Sequence, residues 1–174
     1  FLVNPYDEHA LTEAAKIKSA ASDIEVIAIC LGKPAAESTL RSAMAMGADR
    51  SILIKAASDL EPLAVAKLLH KVVEKEQPEL IILGKQSIDT DNNQVGQMLA
   101  ALCGIGQGTF AFKLEISEGR AIVSREVDGG EEVVSLALPA VVTTDLRLNE
   151  PRYVKLPDIM KAKKKPVEIL AGED

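Results

Sequence analysis

The chain has 174 residues, and 47% of them are hydrophobic, which is enough for a packed core and excludes a disordered tail. Twenty basic and 26 acidic residues give a formal net charge of −6, so binding to nucleic acid or anionic lipid is not expected. Aromatic residues make up only 3%, and no apolar run approaches the roughly 18 residues of a membrane-spanning helix, so direct membrane insertion is not expected either.

The first two thirds of the chain alternates helical patterns with short apolar runs. Asn4-Pro5 predicts the N-cap and first residue of a helix, with Asp7 in the first turn beside the positive end of its dipole. Apolar runs at 24–30, 51–54 and 80–83 predict strands covered on both faces, which is typical of a parallel sheet. Between and after them, helices are predicted at 34–47, 59–77 and 93–102.

The last third of the chain has a different pattern. Residues 109–116, 121–127 and 131–138 alternate as strands around the turn Asp128-Gly129-Gly130, which predicts an antiparallel meander. Residues 139–143 predict one more buried strand, and no strand is predicted after Asp145. Together the elements predict a doubly wound, mainly parallel α/β sheet of Rossmann-like type, with the meander appended at an edge.

The segment 84–96 is the first candidate site. Parallel sheets bind ligands at the carboxyl ends of their strands, and this polar segment follows a predicted strand and ends at a helix N-terminus, where backbone N–H groups can hold a phosphate. We expect Gly84 to admit a ligand close to the backbone and Gly96 to leave room beside it. Side chains that can bind phosphate oxygens, ribose hydroxyls or base edges are Ser87, Thr90, Asn92, Asn93 and Gln94.

Two carboxylates limit this interpretation. Asp89 and Asp91 would repel a phosphate, so they must face away, cap backbone N–H groups or bind sugar hydroxyls. A polar loop before a well-capped helix, without any ligand, explains the segment equally well.

A basic segment at 147–165 is the second candidate site. It holds seven basic and two acidic residues, a net charge of +5 that leaves −11 for the rest of the chain. Leu156-Pro157 lies in a proline-bounded stretch where an exposed leucine among cations suits docking into an apolar pocket with an acidic rim. The alternative is a solvated basic loop with Leu156 folded back.

Other kinds of site lack their motifs. No GxGxxG, GxxxxGK[ST], CxxC or HExxH pattern occurs, which argues against a dinucleotide fingerprint, a phosphate-cleaving loop and a metal site. His9 and His70 are expected to face solvent from helices, and Cys30 and Cys103 to be small core residues in a reducing compartment. No nucleophile–base pair stands out, so the sequence predicts a binder or carrier and not an enzyme.

Five stretches together resemble the β subunits of the electron transfer flavoprotein family, in its AMP-containing, non-bifurcating group. They are NPYDE at 4–8, TLRSAMAMGADR at 39–50, GKQSIDTDNNQVGQM at 84–98, DGG at 128–130 and LPAVVTTDLRLNEPRYVKLPDIMKAKKK at 138–165. The resemblance spans nearly the whole chain, and the last stretch is the most specific.

The resemblance implies a heterodimer in which an α subunit holds most of the redox-active FAD and the β subunit buries a structural AMP. Carried over by position, the base and ribose would lie near Asn4, Pro5, Tyr6, Asp7 and Leu31. The phosphate would lie within the loop formed by Gly84, Lys85, Gln86, Ser87, Ile88, Asp89, Thr90, Asp91, Asn92, Asn93, Gln94 and Val95. Residues 1–146 would form the nucleotide-binding α/β domain.

The same resemblance makes 147–165 a partner-recognition loop and 166–174 the start of a C-terminal tail. Leu156 would anchor the loop in partner dehydrogenases, and Lys161 and Lys164 match lysines that are methylated in some members. The other contact residues would be Leu148, Pro151, Arg152, Tyr153, Pro157, Ile159 and Met160. The implied function is electron transport from FAD-dependent dehydrogenases, such as the acyl-CoA dehydrogenases of fatty acid oxidation, to a membrane quinone oxidoreductase, in the bacterial cytoplasm or the mitochondrial matrix.

Two departures leave alternatives open. Val95 stands where many family members have threonine. A valine at this position is also seen in electron-bifurcating relatives, which hold a second FAD in place of AMP. Family members also begin with a further strand before Asn4 and continue past Asp174 into a tail on the α subunit. A chain without that strand is expected to have an empty sheet position, and to be poorly soluble or to dimerise through the gap. The rival classes are a stand-alone adenine-nucleotide-binding stress-type domain and a pure interaction module.

Overall fold

The computed structural model describes residues 2–56 and 60–172. In chain order the helices are α1 (Pro5–Ala20), α2 (Glu37–Met46), α3 (Pro62–Glu76), α4 (Val95–Cys103) and α5 (Leu156–Ala162), with a 3-10 turn at Pro34–Ala36 before α2. The strands are β1 (Ile27–Gly32), β2 (Arg50–Lys55), β3 (Leu80–Gly84), β4 (Gly106–Ser117), β5 (Arg120–Val127), β6 (Gly130–Ala137), β7 (Ala140–Thr144) and β8 (Val167–Ala171).

The described residues form two compact units. The first contains residues 2–3, 11–56, 60 and 151–172, and the second contains residues 4–10 and 61–150. Helix α1 therefore contributes its first six residues to the second unit and the rest to the first. The division at residues 146 and 165, into a nucleotide-binding domain, a recognition loop and the start of a tail, stays a prediction.

The first unit is built on a parallel three-stranded sheet in the order β1-β2-β8. Its middle strand is the most buried, since Ile52, Leu53 and Ile54 are almost completely inaccessible. Beside Leu53, the side chains of Leu40 and Met44 from α2 join a core cluster that also contains Ala162 of α5. Burial of these apolar side chains is the main force that holds α2 and α5 to the sheet.

Strand β8 and helix α5 correct the sequence analysis. No strand was expected after Asp145, yet Val167–Ala171 pairs in parallel with β2, with Val167 opposite Ser51. The predicted recognition loop contains α5, because Pro157 occupies a position at the start of the helix, where proline needs no N–H partner. Ile29 of β1 is 37% exposed, so this strand is not covered on both faces as predicted.

The second unit is built on a mixed five-stranded sheet in the order β3-β7-β4-β5-β6. Strands β3, β7 and β4 are parallel, and β4, β5 and β6 form the predicted antiparallel meander. Strand β7 is buried at every position because it has a neighbour on each side and α4 on one face. The predicted α/β class with mainly parallel strands and an appended meander is confirmed, although the strands are distributed over two sheets.

Most helix limits agree with the periodicity. Helix α1 begins at Pro5 as predicted, and α4 begins at Val95, two residues later than predicted. Helix α3 starts at Pro62 and ends before Pro78; its predicted start at Asp59 lies outside the described residues.

Candidate functional site

The predicted site loop is attached to the first turn of α1 within the second unit. The Gly84 N–H, at the carboxyl end of β3, donates to Asp7 Oδ1 at 2.6 Å. Asn4 Nδ2 donates to the Gln86 carbonyl at 2.9 Å, and Asn4 Oδ1 accepts from the Ile88 N–H at 3.3 Å. The structure therefore brings together two segments about 80 residues apart that the resemblance assigned to one site.

The side chains of Asn4 and Asp7 join the start of α1 to the loop that follows β3. The Asn4 carbonyl accepts the Asp7 and Glu8 N–H groups, whereas its side chain is used on the loop. Burial raises the pKa of the Asp7 carboxyl, and hydrogen bonds from Asn4 Nδ2 and the Gly84 N–H oppose that shift. Asp7 thus joins the helix start to the strand end with both of its oxygens.

Gly84 and Gly96 are required by the packing of the protein itself. A Cβ at Gly84 would lie 2.6 Å from Tyr6 Cβ, so α1 occupies the space that we expected a ligand to use. A Cβ at Gly96 would lie 2.4 Å from Thr143 Cγ2, so the missing side chain lets α4 approach β7. Both expectations of free space are wrong, and both glycines instead fix the position of the loop ends.

Lys85 is neutralised within the second unit. Its Nζ lies 3.0 Å from Asp145 Oδ2, 5.2 Å from the centroid of the Tyr6 ring and 5.5 Å from that of Phe110. Arg147 Nε lies 3.0 Å from the other Asp145 oxygen. Burial alone would raise the pKa of Asp145, but the hydrogen bonds from Lys85 and Arg147 outweigh it and the pKa is lowered. Lys85 therefore orients the loop start and does not serve as an unpaired cation for a ligand.

The tip of the loop is held by its own side chains. Ser87 Oγ and Thr90 Oγ1 lie 2.9 Å apart, and Gln86 Nε2 donates to Asp91 Oδ1 at 2.8 Å. The pKa of Asp89 is lowered, chiefly by a hydrogen bond from Ser87. Both carboxylates thus have donors within the loop; Asp89 also accepts from backbone N–H groups, as one of the expected options, whereas Asp91 pairs with a side-chain amide that was not foreseen.

The N-terminus of α4 has no side-chain cap. Gln94, its N-cap residue, makes no side-chain capping hydrogen bond, and the first N–H groups of a helix have no partner within the helix. Gln97 Nε2 donates to Asn93 Oδ1 at 3.1 Å, while Gln97 Oε1 is buried without a hydrogen-bond partner among the described residues. The N-terminus of α4 thus offers backbone N–H donors and one unsatisfied acceptor. The Val95 side chain adds neither a donor nor an acceptor.

Leu31 is the one predicted nucleotide residue that belongs to the first unit. It lies in β1 of the first unit and is half-buried, next to Gly32 at the end of the strand.

The partner segment exposes its apolar residues. Leu156 is 71% exposed at the start of α5, so it does not fold back onto the protein. The other large exposed residues of this part of the first unit are Tyr153, Ile159 and Met160, and exposed positions also include Pro151, Arg152, Pro157, Lys161 and Lys164. Leu148 is half-buried and belongs to the second unit.

Three of the seven basic residues of 147–165 contact other parts of the chain, and the other four are exposed. Arg147 contacts Asp145 and Glu126, Arg152 Nη1 donates to the Met46 carbonyl at 3.4 Å, and Lys165 Nζ donates to the Met44 and Ala48 carbonyls. The other four, Lys155, Lys161, Lys163 and Lys164, are exposed.

His9 corrects the expectation of a solvent-facing side chain. It is 7% exposed, its Nδ1 lies 3.1 Å from Asn149 Oδ1, and Asn149 Nδ2 donates to the His9 carbonyl at 3.0 Å. His70 is half-buried, 4.0 Å from Glu74. Both cysteines are half-buried, and burial raises the pKa of the Cys103 thiol, which argues against a nucleophile.

Asp145 and Asn149 were missed as structural partners of the site. Asp145 directly follows a buried strand, so the strand-end rule could have identified it, whereas the His9–Asn149 pair carries no sequence signal.

Within residues 2–56 and 60–172, no helix has both the length and the apolar character to cross a membrane. In the same ranges, no three His, Cys, Asp or Glu side chains cluster in a way that could hold a metal ion.

Comparison with known proteins settles the family. The sequence model described as "Electron transfer flavoprotein domain" matches residues 2–174. The chain belongs to the electron transfer flavoprotein family. The resemblance to this family that was inferred from the sequence is thereby confirmed.

Three relatives in this family show how far the similarity extends, and each is named an electron transfer flavoprotein subunit beta. The chain is 59% identical to the protein of Bradyrhizobium diazoefficiens over 165 residues, which cover 95% of the chain and 66% of that relative. It is 50% identical to the protein of Dictyostelium discoideum over 98% of the chain and 68% of the relative. It is 48% identical to the protein of Bos taurus over 99% of the chain and 69% of the relative. The chain thus spans about two thirds of the length of these relatives.

Proposed function

We propose that the chain is part of the β subunit of a heterodimeric electron transfer flavoprotein. In this proposal it binds AMP structurally and docks FAD-dependent dehydrogenases through the segment around Leu156. The observation that carries it is the family match over residues 2–174, together with relatives named subunit beta at 48% to 59% identity. Under this proposal the stand-alone stress-type domain and the pure interaction module are set aside.

The donor set at the α4 N-terminus supports AMP as the ligand of this subunit. A phosphate suits the positive end of a helix whose N-cap makes no side-chain hydrogen bond, and the Ser87 and Thr90 hydroxyls and Asn92 add neutral donors on the loop. The unsatisfied Gln97 Oε1 suits an amino or hydroxyl donor of a nucleoside. Asp89 and Asp91, each with donors inside the loop, disfavour additional phosphates by charge repulsion.

The proposed chemistry needs no acid or base from this chain. FAD, held mostly by an α subunit, would supply the redox chemistry when bound, receiving electrons from dehydrogenases and giving them to a membrane quinone oxidoreductase. The residues here would instead orient the AMP, exclude water from its phosphate and present a docking surface. The names of the relatives agree with an electron-transfer subunit that is not itself an enzyme.

The docking surface combines one exposed leucine with exposed lysines. Leu156, Ile159 and Met160 lie exposed on α5, and four exposed lysines lie within 155–164. Such a surface favours rapid, salt-sensitive encounter with an acidic partner and rapid release, which a carrier between several partners requires. The cellular compartment of the protein depends on the organism from which the chain comes, because the relatives include a bacterial protein and plant proteins that are named mitochondrial.

The proposal is tested by coexpressing the full-length β subunit with its α subunit. Copurification with a flavin absorption spectrum is expected, and Leu156→Ala is expected to slow reduction by an acyl-CoA dehydrogenase without loss of AMP. Lys113→Met, on the exposed β4 surface, serves as the control and should leave the rate unchanged. An unchanged rate for the Leu156 variant would remove the docking role, and failure to recruit any FAD-bearing partner would remove the subunit assignment.

Val95 keeps one second candidate open, a bifurcating relative with a second FAD in the place of AMP. The absence of a threonine hydroxyl at this position removes one donor for the phosphate. Two FAD per heterodimer would favour that candidate, and one FAD with one AMP would favour the carrier.

A further inference from the structure

Arg41 binds the end of the docking helix. Its Nη1 lies 3.1 Å from the Ala162 carbonyl oxygen, 3.2 Å from that of Lys163 and 2.6 Å from that of Lys165. The same guanidinium is oriented by Glu37, whose Oε1 accepts from Nη2 at 2.9 Å and from Nε at 3.3 Å. One side chain of α2 thus donates to the carbonyl of Ala162, the last residue of α5, and to two carbonyls just beyond the helix, where the chain leaves its regular hydrogen-bonding pattern.

The attachment is reciprocal. Lys165 Nζ, just beyond α5, donates to the Met44 carbonyl at 3.2 Å and to the Ala48 carbonyl at 2.5 Å, at the C-terminal end of α2. Between the two cations, Ala162 is 1% exposed in the cluster formed with Leu40 and Met44. Each helix therefore receives a cation from the other at its negative end, where a cation is most favourable.

This attachment decides where the exposed face of α5 lies. A helix of seven residues is unstable by itself, because the cost of nucleation is not recovered over so few hydrogen bonds. Its C-terminal end is fixed by Arg41 and Ala162, the segment before it packs Val154 against the same core cluster, and Leu156 itself is 71% exposed. The orientation of Leu156, Ile159 and Met160 therefore depends in part on the contacts at residues 162–165.

We propose that Arg41 is a positioning residue for partner docking: it touches no partner, but it holds α5 so that Leu156 and its neighbours are presented in one orientation. This inference rests on the docking role proposed above for Leu156. A segment that must be ordered on binding costs affinity, whereas one already ordered does not. Loss of the Arg41 contacts is therefore expected to weaken docking and not to change the flavin.

The test compares Arg41→Gln and Arg41→Lys in the intact heterodimer. Arg41→Gln is expected to raise the KM of an acyl-CoA dehydrogenase for the flavoprotein about threefold to tenfold, with kcat, AMP content and flavin spectrum unchanged. Arg41→Lys, which keeps the charge and one donor group, is expected to restore part of the loss. Hydrogen exchange of the amides at 159–165 should accelerate in proportion. Arg120→Gln, which removes hydrogen bonds to Ser135 of β6, is the matched control without effect on KM.

The outcomes separate this inference from the proposed function. A normal KM for Arg41→Gln, in a preparation where Leu156→Ala raises it, would overturn the role of Arg41 alone. Equal exchange rates at 159–165 in wild type and Arg41→Gln would also overturn it. No effect of Leu156→Ala would instead overturn the docking role on which the inference rests.

Discussion

Replacement of Gly96 by alanine tests the packing that positions the candidate nucleotide site. The added Cβ would lie 2.4 Å from Thr143 Cγ2, and ordinary contact begins at 3.4 Å, so α4 and β7 must separate by about 1 Å. Thr143 is 1% exposed and its Oγ1 accepts the Phe110 N–H at 3.1 Å, so it has little freedom to move.

The magnitude follows from two opposing effects. Overpacking of this kind costs about 1–3 kcal/mol, and alanine gains at most about 1 kcal/mol over glycine in a helix interior. Because Gly96 is the second residue of α4, the gain is smaller there, and the expected net loss for Gly96→Ala is about 1–2 kcal/mol. The displaced helix start should also lower the AMP content of the heterodimer.

Thr143→Ser provides the decisive comparison. Serine removes the clashing Cγ2 but keeps the Oγ1 that accepts from Phe110. Thr143→Ser alone should lower the free energy of unfolding by about 0.5–1.5 kcal/mol. The double variant should be no less stable than Thr143→Ser, because the serine leaves room for the Cβ added at position 96. The two substitutions should therefore show a favourable coupling energy of about 1–2 kcal/mol. Urea unfolding of the intact heterodimer measures all four proteins. Strictly additive losses, or a fully stable Gly96→Ala, would refute the close α4–β7 contact.

Two further predictions concern half-buried lysines. The lowered pKa of Asp145 means that its ionised form stabilises the protein above about pH 4 and that this contribution is lost as the pH falls through the lowered value. Lys85→Met should therefore reduce stability at neutral pH and shift the onset of acid unfolding to higher pH, whereas Lys113→Met should shift it much less, because the pair of Lys113 with Glu115 is exposed and screened by solvent. Lys165→Met should cost about 1–3 kcal/mol by leaving carbonyls at the end of α2 unsatisfied, and the exposed Lys164→Met less than about 0.5 kcal/mol, measured by thermal unfolding; equal losses would contradict the capping role.

Helices and strands could be predicted where a few neighbouring residues determine them. Asn4-Pro5 marked the start of α1, and the apolar runs located β2 and β3, because capping and buried-strand patterns depend on a few neighbouring residues. Strand β8 was missed because its five residues follow a lysine run and Pro166, and its only strong determinant is pairing with β2. Helix α5 was missed because the prolines were interpreted as loop residues.

The candidate site was predictable as a segment but not as an arrangement. The strand-end rule identified the polar loop, and the resemblance added Asn4 to Asp7. The Lys85–Asp145 pair joins residues 60 positions apart, and no periodicity or motif encodes such a contact. Gly84 shows the same limit: the sequence indicates a close approach, and only the structure shows that Tyr6 makes it.

Mass spectrometry of the nucleotides released from the denatured, full-length heterodimer tests the central claim most directly. One AMP and one FAD per heterodimer are expected, with the AMP lost in parallel with stability in Gly96→Ala. A heterodimer that releases FAD but no AMP would contradict the assignment of the α4 N-terminus as a structural nucleotide site.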